Sequence, residues 1–296
     1  MASPRIGVIG VRDGWSSERL AASVAARTGS GPLIELADVA LDLERGDVRA
    51  GRTSLLDFDA LIVKKLGSNY APELLDRLEV LHYVHQRGVP VFSTPQSLMQ
   101  LLDRLSCTVA LRLAGIPMPP TTITENLQEA EEAVRRYGRV VLKPLFTSKA
   151  RGMELLEAGS DVRVRLELFQ SNGNPVLYIQ KLVPIPGHDL GVAFLGGEYL
   201  ACYRRVKDAD AWATSTSSGG RYRPYEPGPE VVELARRAQA VFGLAFTCVD
   251  VVETDGGPLV FEVSAFGGFR GLLEANGVDA AGAYADFVMK AIGHGR

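Results

Sequence analysis

The stretch that decides the fold runs from residue 246 to residue 271 and reads FTCVDVVETDGGPLVFEVSAFGGFRG. Two apolar runs flank Thr254–Pro258, whose sequence TDGGP is typical of a tight turn, and this order predicts a β-hairpin. Each strand carries one acid within its apolar run, Asp250 in the first strand and Glu262 in the second. The apolar neighbours predict that the face around both acids is buried.

The pairing across the turn decides whether these two acids meet. A five-residue loop pairs Glu253 with Leu259, and the same register places Asp250 opposite Glu262, with Cβ atoms roughly 5 Å apart. Two buried carboxylates that close cost on the order of several kcal/mol unless a proton or a cation lies between them. Mg²⁺, a hard cation that prefers oxygen ligands, would relieve the repulsion. The alternative is that one acid points to solvent or pairs with an arginine.

The composition of the 296-residue chain is that of a soluble enzyme of about two domains. A net charge of −3 gives no bulk attraction to nucleic acid or to an anionic membrane. No apolar run reaches the roughly 18 residues of a membrane span, and the N-terminal MASPRIGVIG has no signal-peptide pattern. The three cysteines are odd in number and lack metal-type spacing, which is typical of a reducing compartment. We therefore expect a cytoplasmic protein without nucleic-acid or membrane partners.

Strands and helices alternate along the first part of the chain, which predicts an α/β domain with a parallel sheet. The proline-rich segment Ile116–Pro120 is typical of a rigid linker. Beyond it the strands and helices form a different, α+β arrangement. The predicted bounds are 1–95 for the first domain and 96–296 for the second, whose two lobes cover about 118–183 and 184–296.

Several cations in the second part are suited to phosphate. Lys143 ends an apolar strand and can meet a phosphate as a point charge; the alternative is a strand-end lysine that reaches solvent. The loop Phe146–Gly152, which includes Lys149, has the charges and hydroxyls to lie over a triphosphate. Arg204 and Arg205 are further candidates for charge neutralisation.

These elements come in an order that resembles the ATP-grasp superfamily, in its RimK-like glutamate ligase branch. The resemblance covers the chain from about residue 97 to the C-terminus and, more loosely, the part before it. The motifs that carry it are LDR at 102–104, LRLAGIP at 111–117, VLKP at 141–144, QKLV at 180–183, GHD at 187–189, YRR at 203–205, VDVV at 249–252, GPLVFEV at 257–263 and the glycines at 267, 268, 271 and 277.

The resemblance implies an ATP-grasp fold with an N-terminal preATP-grasp domain, and ATP bound between the two later lobes. It also implies the reaction. ATP phosphorylates a carboxylate to an acyl phosphate, and an amine then attacks to form an amide with release of ADP and phosphate. The implied cofactors are ATP and Mg²⁺, or Mn²⁺ in its place. The implied partners are a small-molecule or peptide-tail carboxylate and an amine acceptor; the oligomeric state, monomer or homo-oligomer, stays open.

Roles follow for the matching residues, together with those suggested by position alone. The catalytic candidates are Lys143 and Arg205. The nucleotide candidates are Arg104, Lys143, Lys149, Gln180, Lys181, Leu182, Val183 and Asp189, with residues 180–183 as the adenine hinge and Asp189 at the ribose. The metal candidates are Asp250, Glu262 and Ser264. The substrate candidates are Arg270 and Ser215.

Departures from the family pattern cluster on the acceptor side and at a second metal. Ser264 replaces a ligating asparagine, and Gly191 replaces an arginine. The run Thr214–Ser218 replaces side chains with an amide and a charge, so we expect an acceptor with one negative group fewer than glutamate chemistry uses. A neutral amino acid or a small amine fits. The alternatives to a ligase are a small-molecule kinase of ATP-grasp fold and a degenerate nucleotide-binding regulatory subunit.

Two further positions are candidates for substrate contact. Arg270 follows the glycine segment and can hold a substrate carboxylate through two hydrogen bonds; the alternative is a surface arginine at a helix start. Trp15 follows the first predicted strand, at the end of a parallel sheet where ligands commonly bind.

Overall fold

The computed structural model describes residues 3–147, 150–208, 214 and 219–293, and it has the predicted mixed α/β architecture. The predicted nucleotide residue Lys149 and the predicted substrate residue Ser215 lie outside the described residues. The strands are β1 (Ile6–Ile9), β2 (Leu33–Ile34), β3 (Val39–Asp42), β4 (Asp47–Ala50), β5 (Thr53–Ser54), β6 (Ala60–Val63), β7 (Val91–Phe92), β8 (Thr121–Thr124), β9 (Arg139–Leu142), β10 (Glu154–Glu157), β11 (Leu177–Lys181), β12 (His188–Leu195), β13 (Glu198–Val206), β14 (Arg221–Pro224), β15 (Phe246–Val252) and β16 (Leu259–Ser264). The helices are α1 (Trp15–Thr28), α2 (Glu73–Gln86), α3 (Pro95–Met99), α4 (Arg104–Leu113), α5 (Leu127–Tyr137), α6 (Val162–Ser171), α7 (Pro229–Ala240), α8 (Phe269–Asn276) and α9 (Ala280–Gly293), and there are short 3-10 turns at Leu36–Asp38 and Leu55–Asp57.

The N-terminal part is built on a parallel sheet with strand order β2-β1-β6-β7. β1 and β6 are fully buried aliphatic runs, IGVI and ALIV, as expected of a parallel sheet that is covered on both faces. Helix α1 packs on β1, and α9 packs on α1, so the last helix of the chain covers the first sheet. The strands β3, β4 and β5 form a small antiparallel sheet of their own.

One hydrophobic core joins this sheet to the C-terminal part of the chain. Ile6 and Val8 share it with Phe246, Phe269 and Tyr284, and none of these side chains is more than 3 % exposed. The domain boundary near residue 95 stays a prediction, and this core extends across it. The two parts therefore stabilise each other through buried apolar contacts.

The second part contains two antiparallel sheets. The first has the order β10-β9-β11-β8 and packs against α5 and α6. The second, the central sheet, has the order β14-β13-β12-β15-β16. The linker Ile116–Pro120 joins α4 to β8 without regular secondary structure, as predicted. Within the described ranges, no helix is both long and apolar enough to span a membrane.

The hairpin of residues 246–271 forms as predicted, with one irregularity. Asp250 lies opposite Glu262 in the β15–β16 pair, which confirms the predicted facing of the acids. The turn is one residue longer than predicted, because Leu259 pairs with Val252 and not with Glu253. A bulge directly after Asp250 shifts the register back by one residue. The two acids therefore meet by way of a bulge that the sequence pattern does not reveal.

Candidate active site

Three strands of the central sheet bring Asp189, Arg205 and Asp250 together. Asp189 lies opposite Arg205 in the β12–β13 pair, and Gly191, two residues further along β12, lies opposite Asp250 on β15. The Arg205 guanidinium donates through Nε to Asp189 Oδ1 at 3.0 Å, and its Nη2 is 2.9 Å from Asp250 Oδ2. Arg205 therefore pairs with two carboxylates at once. One of them, Asp189, is buried, with 4 % of its surface exposed.

Glu262 is held by an arginine from a distant part of the chain. Arg104, the first residue of α4, lies with its Nη1 3.1 Å from Glu262 Oε2, and its side chain is only 7 % exposed. Its Nε donates to the backbone oxygen of Pro144 at 3.2 Å. The sequence left open whether an acid of the facing pair would meet an arginine. Both acids meet an arginine, Asp250 through Arg205 and Glu262 through Arg104, and they still face each other.

Lys143 is a buried cation, and among the described residues no carboxylate lies in hydrogen-bond contact with it. It follows β9, and its Nζ donates to Gln180 Oε1 at 2.5 Å. Gln180 Nε2 donates in turn to Thr121 Oγ1 at 3.1 Å, and the Phe261 ring centroid lies 5.4 Å from Nζ. Burial, assisted by the charge of Arg104, lowers the pKa of Lys143 to about 7. An arriving anion would therefore stabilise the protonated lysine.

The acid that faces Glu262 is itself perturbed. Burial is the main cause that raises the pKa of Asp250 to about 7; Arg205 opposes the rise, while Asp189 and Glu262 add to it. For Arg205 burial disfavours the charge, but Asp189 and Asp250 outweigh that effect and keep its pKa well above the ordinary value. Near neutral pH Asp250 is therefore partly protonated, and a cation that binds beside it, in addition to Arg205, would release this proton.

The predicted adenine hinge, residues 180–183, lies at the end of β11. The backbone N–H groups of Lys181 and Leu182 donate to carbonyl oxygens of neighbouring segments at 2.8 and 2.9 Å. The Lys181 side chain is exposed, and Leu182 and Val183 are half-buried. Because Gln180 bonds Lys143, this hinge and the predicted phosphate lysine belong to one hydrogen-bonded network.

The residues present fit an anionic nucleotide with a hard cation. Thr147 Oγ1 is buried, has no hydrogen-bond partner among the described residues, and lines a small cavity together with Arg104 and Glu262. Such a hydroxyl and the buried Lys143 are donors that a phosphate would satisfy. In the described part of the chain no three His, Cys, Asp or Glu side chains converge. Mg²⁺ usually takes one or two carboxylates plus phosphate and water oxygens, so the facing pair suffices.

Comparison with known proteins identifies the family. A model of the RimK-like ATP-grasp domain matches residues 101–288. The chain belongs to the RimK-like ATP-grasp family. It is 25 % identical over 262 residues to the tetrahydromethanopterin:alpha-L-glutamate ligase of Methanosarcina acetivorans, with 79 % of this chain and 80 % of that protein covered.

Solved structures agree with this assignment. The RimK domain ATP-grasp protein from Sphaerobacter thermophilus superposes with a TM-score of 0.75 at 26 % identity, over 96 % of this chain and 98 % of that one. The ATP-grasp ligase PsnB, in complex with a phosphomimetic variant of its minimal precursor, Mg and ADP, has the same fold, with a TM-score of 0.76 at 21 % identity over 99 % and 100 % of the two chains. The predicted ATP-grasp fold is confirmed, and so is the prediction of an ATP-dependent carboxylate–amine ligase. The family uses ATP and Mg²⁺.

Ser264, the third predicted metal ligand of this RimK-like chain, has a second interaction. Its Oγ accepts hydrogen bonds from the backbone N–H groups of Phe266 at 3.3 Å and Gly267 at 3.1 Å. These two donors would compete with a cation for the same oxygen. The assignment of Ser264 as a ligand stays a prediction, and its observed contacts stabilise the glycine segment that follows β16.

Arg270 and Trp15 meet, although they are far apart in sequence. The Arg270 guanidinium lies 5.0 Å from the centroid of the Trp15 ring, and Arg19 lies 5.7 Å from the same ring. Arg270 is about half exposed and also approaches Glu274 at 3.8 Å. The arginine therefore remains accessible for the substrate contact predicted for it, and an aromatic ring fixes its direction.

Sequence reasoning missed Lys64, which is almost fully buried at the end of β6. Its Nζ donates to the backbone oxygens of Phe266 at 3.0 Å and Gly267 at 3.3 Å, and it lies 3.6 Å from the Phe269 ring centroid. Burial lowers its pKa well below the ordinary value. The available signal was a lysine directly after the buried run ALIV. Lys64 links the N-terminal sheet to the glycine segment next to the metal candidates.

The structure also explains Gly191, where the family resemblance leads one to expect an arginine. A Cβ atom at this position would lie 2.4 Å from the Tyr203 ring, and one at Gly271 would lie 2.5 Å from the same ring. Tyr203 is 2 % exposed and occupies the space between these two glycines. An aromatic ring therefore replaces the expected charge at this point of the sheet.

Proposed function

We propose that this chain binds ATP and Mg²⁺ over the face of the central sheet that carries Asp250 and Glu262. There it activates a substrate carboxylate as an acyl phosphate and joins it to an amine. The observation that supports this most is the facing pair of acids, each held by a buried or half-buried arginine, beside a buried lysine whose hydrogen-bond partner among the described residues is the neutral Gln180. In the free protein the positive groups of Arg104, Lys143 and Arg205 are balanced by three carboxylates. These are Asp189, Asp250 and Glu262.

This balance suggests how the site responds to a nucleotide. Arg205 and Arg104 exchange carboxylate oxygens for phosphate oxygens, and Lys143 gains the anion that it lacks. Asp250 and Glu262 are then free to serve as metal ligands, and Asp189 is free for the ribose contact predicted for it. When bound, Mg²⁺ neutralises charge on the transferred phosphoryl group and on the incoming carboxylate.

We place Arg270 on the acceptor side of the site. Of the run Thr214–Ser218 the structure describes only Thr214, and the predicted contact of Ser215 lies outside the described residues. Arg270 supplies one accessible cation. The hydroxyl-rich sequence of residues 214–218 adds no charge to that of Arg270, so we propose a neutral amino acid or a small amine as the acceptor.

The test is ADP release measured with pooled carboxylates and pooled amines, added separately and together. We expect release that requires ATP, Mg²⁺ and both pools, and that is stronger with neutral amino acids than with glutamate as the acceptor. Mass spectrometry of the reaction should then show a product formed with loss of one water.

Variants make this test specific. Asp250→Asn and Glu262→Gln should abolish release, whereas Asp255→Asn should leave it unchanged, because Asp255 is an exposed acid in the turn of the same hairpin. Release that needs no amine would contradict ligation. Stimulation by glutamate alone would contradict the proposed acceptor while leaving the ligase activity intact.

A further inference from the structure

A second cavity lies in the N-terminal part, outside the site built on the central sheet. Its volume is about 280 Å³. Its walls are the segments that follow three parallel strands: Gly10–Val11 after β1, Glu35–Ala37 after β2 and Leu66–Asn69 after β6, together with Glu73 and Arg77 of α2.

The cavity lies at a position of the parallel sheet where ligands commonly bind. The strand order is β2-β1-β6-β7, so the chain leaves β1 to one side for β2 and adds β6 on the other side. Loops at the carboxyl ends of β1 and β6 therefore diverge and leave a crevice between them. Such reversal points of parallel sheets are the usual binding positions in open α/β folds.

The charged groups of the cavity are of both signs. Glu35 is already paired, because both of its oxygens accept from Arg12, at 2.7 and 2.8 Å. Glu73 is exposed in the first turn of α2 and makes no hydrogen bond or ion pair that the described residues show. Arg77 donates through Nη1 to the backbone oxygen of Leu66 at 2.8 Å, which leaves the other donors of its guanidinium.

Gly67 allows this arrangement. A Cβ atom at residue 67 would lie 2.3 Å from Arg77 Nη1 and 3.1 Å from Leu74. Only a residue without a side chain lets the guanidinium lie against the backbone here. Arg77 is therefore held at the cavity wall by its hydrogen bond to Leu66, in the room that Gly67 leaves.

We propose that the cavity binds the zwitterionic end of a free amino acid, with its ammonium at Glu73 and its carboxylate at Arg77. A phosphate or dicarboxylate would meet the Glu73 carboxylate beside the one arginine that lines the cavity, and a simple amine would leave Arg77 without an anionic partner. Ser68 and Asn69 supply neutral hydrogen-bonding groups around the same space. This assignment rests on the proposed ligase function and deepens it, since the amino acid is one of the two substrates.

The cavity shares a wall with the ATP-grasp site. The segment Leu66–Asn69 lines it, and the next residue, Tyr70, lines the small cavity that contains Arg104 and Glu262. The Tyr70 ring also lies 6.4 Å from the Phe266 ring, next to the glycine segment. An ammonium that is paired with Glu73 is protonated and cannot attack an acyl phosphate. The bound amino acid therefore reacts through a side-chain carboxylate, as the donor, and the neutral acceptor proposed above is the second substrate.

The experiment is an NMR and calorimetric titration of the full chain, without nucleotide, with L-alanine, L-glutamate and L-lysine. Each is compared with its methyl ester, which lacks the carboxylate, and with its N-acetyl derivative, which lacks the ammonium. We expect shift changes around Gly10, Asn69 and Arg77 with at least one free amino acid. Each blocked derivative should bind about tenfold more weakly or worse.

Two variants locate the site. Glu73→Gln should weaken binding of the amino acid about tenfold, whereas Asp76→Asn, the same loss of charge at an exposed residue of α2 outside the cavity, should not. Gly67→Ala should weaken it as well, because the added methyl displaces the Arg77 guanidinium. Circular dichroism confirms that each variant is folded.

Three results would overturn the assignment: no saturable binding of any of the three amino acids at millimolar concentration, equal binding of free and blocked forms, or a Glu73→Gln variant that binds like the native chain. A parallel titration with ADP and Mg²⁺ separates this outcome from failure of the proposed function. If ADP binds and the amino acids do not, the cavity assignment alone is wrong.

Discussion

At the scale of single residues, the site depends on a few charges removed from water. Lys143 and Asp250 lie in the same network of charges and both have a pKa of about 7, reached from opposite directions because burial disfavours the charged form of each. A cation binding beside Asp250 and an anion binding beside Lys143 would therefore move protons in opposite senses. Each proton can be measured separately when nucleotide and metal are added in turn.

When nucleotide binds without metal, the protein should take up a proton from solution. The free lysine is about half charged near pH 7, and a bound phosphate raises its pKa, so affinity for ADP is greatest below pH 7 and falls as pH rises above it. Calorimetry in two buffers with different heats of ionisation measures this uptake. Lys143→Arg keeps a permanent charge and should show a clearly smaller uptake, since only the share due to Asp250, which loses its contact with Arg205, remains. An equal proton uptake in Lys143→Arg and in the native chain would refute the role of Lys143.

At the scale of elements, much of the hairpin follows from local rules, and its ion pairs do not. Alternation along the strands and the TDGGP turn predict the hairpin and its pair of facing acids, but the observed facing combines a turn one residue longer than predicted with a bulge after Asp250. The bulge beside Asp250 depends on how the strand meets its neighbours, and no residue in the sequence marks it. Arg104 reaches Glu262 across 158 positions, and that contact comes from the packing of α4 on β16, which local patterns do not specify. Lys64 was missed for the same reason, since its partners are backbone oxygens of a distant loop.

The loop between β16 and α8 should depend on Lys64. Lys64→Met keeps the length of the side chain but leaves the oxygens of Phe266 and Gly267 without this donor, at a cost of about 1–3 kcal/mol that relief of a buried charge partly offsets. We expect faster hydrogen exchange at Gly267 and Gly268 and a small change in the free energy of unfolding. Lys290→Met, an exposed lysine on α9, is the control. Unchanged exchange in this loop would show that Lys64 does not hold it.

At the scale of the whole molecule, the first and last helices of the described chain pack against each other. Helix α9 packs against α1, and the Arg27 guanidinium donates through Nη2 to Asp286 Oδ2 at 2.8 Å across this contact. The first strand and the last helix thus share one buried core, which the family match over residues 101–288 does not include in full. The sequence pattern does not predict this pairing, because it joins segments more than two hundred residues apart.

This shared core predicts that a single change in α9 destabilises the entire protein. Tyr284 is 2 % exposed, and its ring stacks with Phe246 at a centroid distance of 5.7 Å. Tyr284→Ala should lower the free energy of unfolding by about 3–5 kcal/mol, measured by urea denaturation in one cooperative transition. Tyr199→Ala, at a more exposed position of β13, should cost much less. Two separate transitions in the Tyr284 variant would mean that the N-terminal part unfolds independently.

The most direct test of the central claim is the binding of Mn²⁺, as a substitute for Mg²⁺, followed by electron paramagnetic resonance in the presence and absence of ADP. We predict saturable Mn²⁺ binding that ADP strengthens, a loss of at least about tenfold in Asp250→Asn and in Glu262→Gln, and native behaviour in Asp255→Asn. Native Mn²⁺ affinity in both Asp250→Asn and Glu262→Gln would contradict the claim that the two facing acids of the hairpin hold the metal.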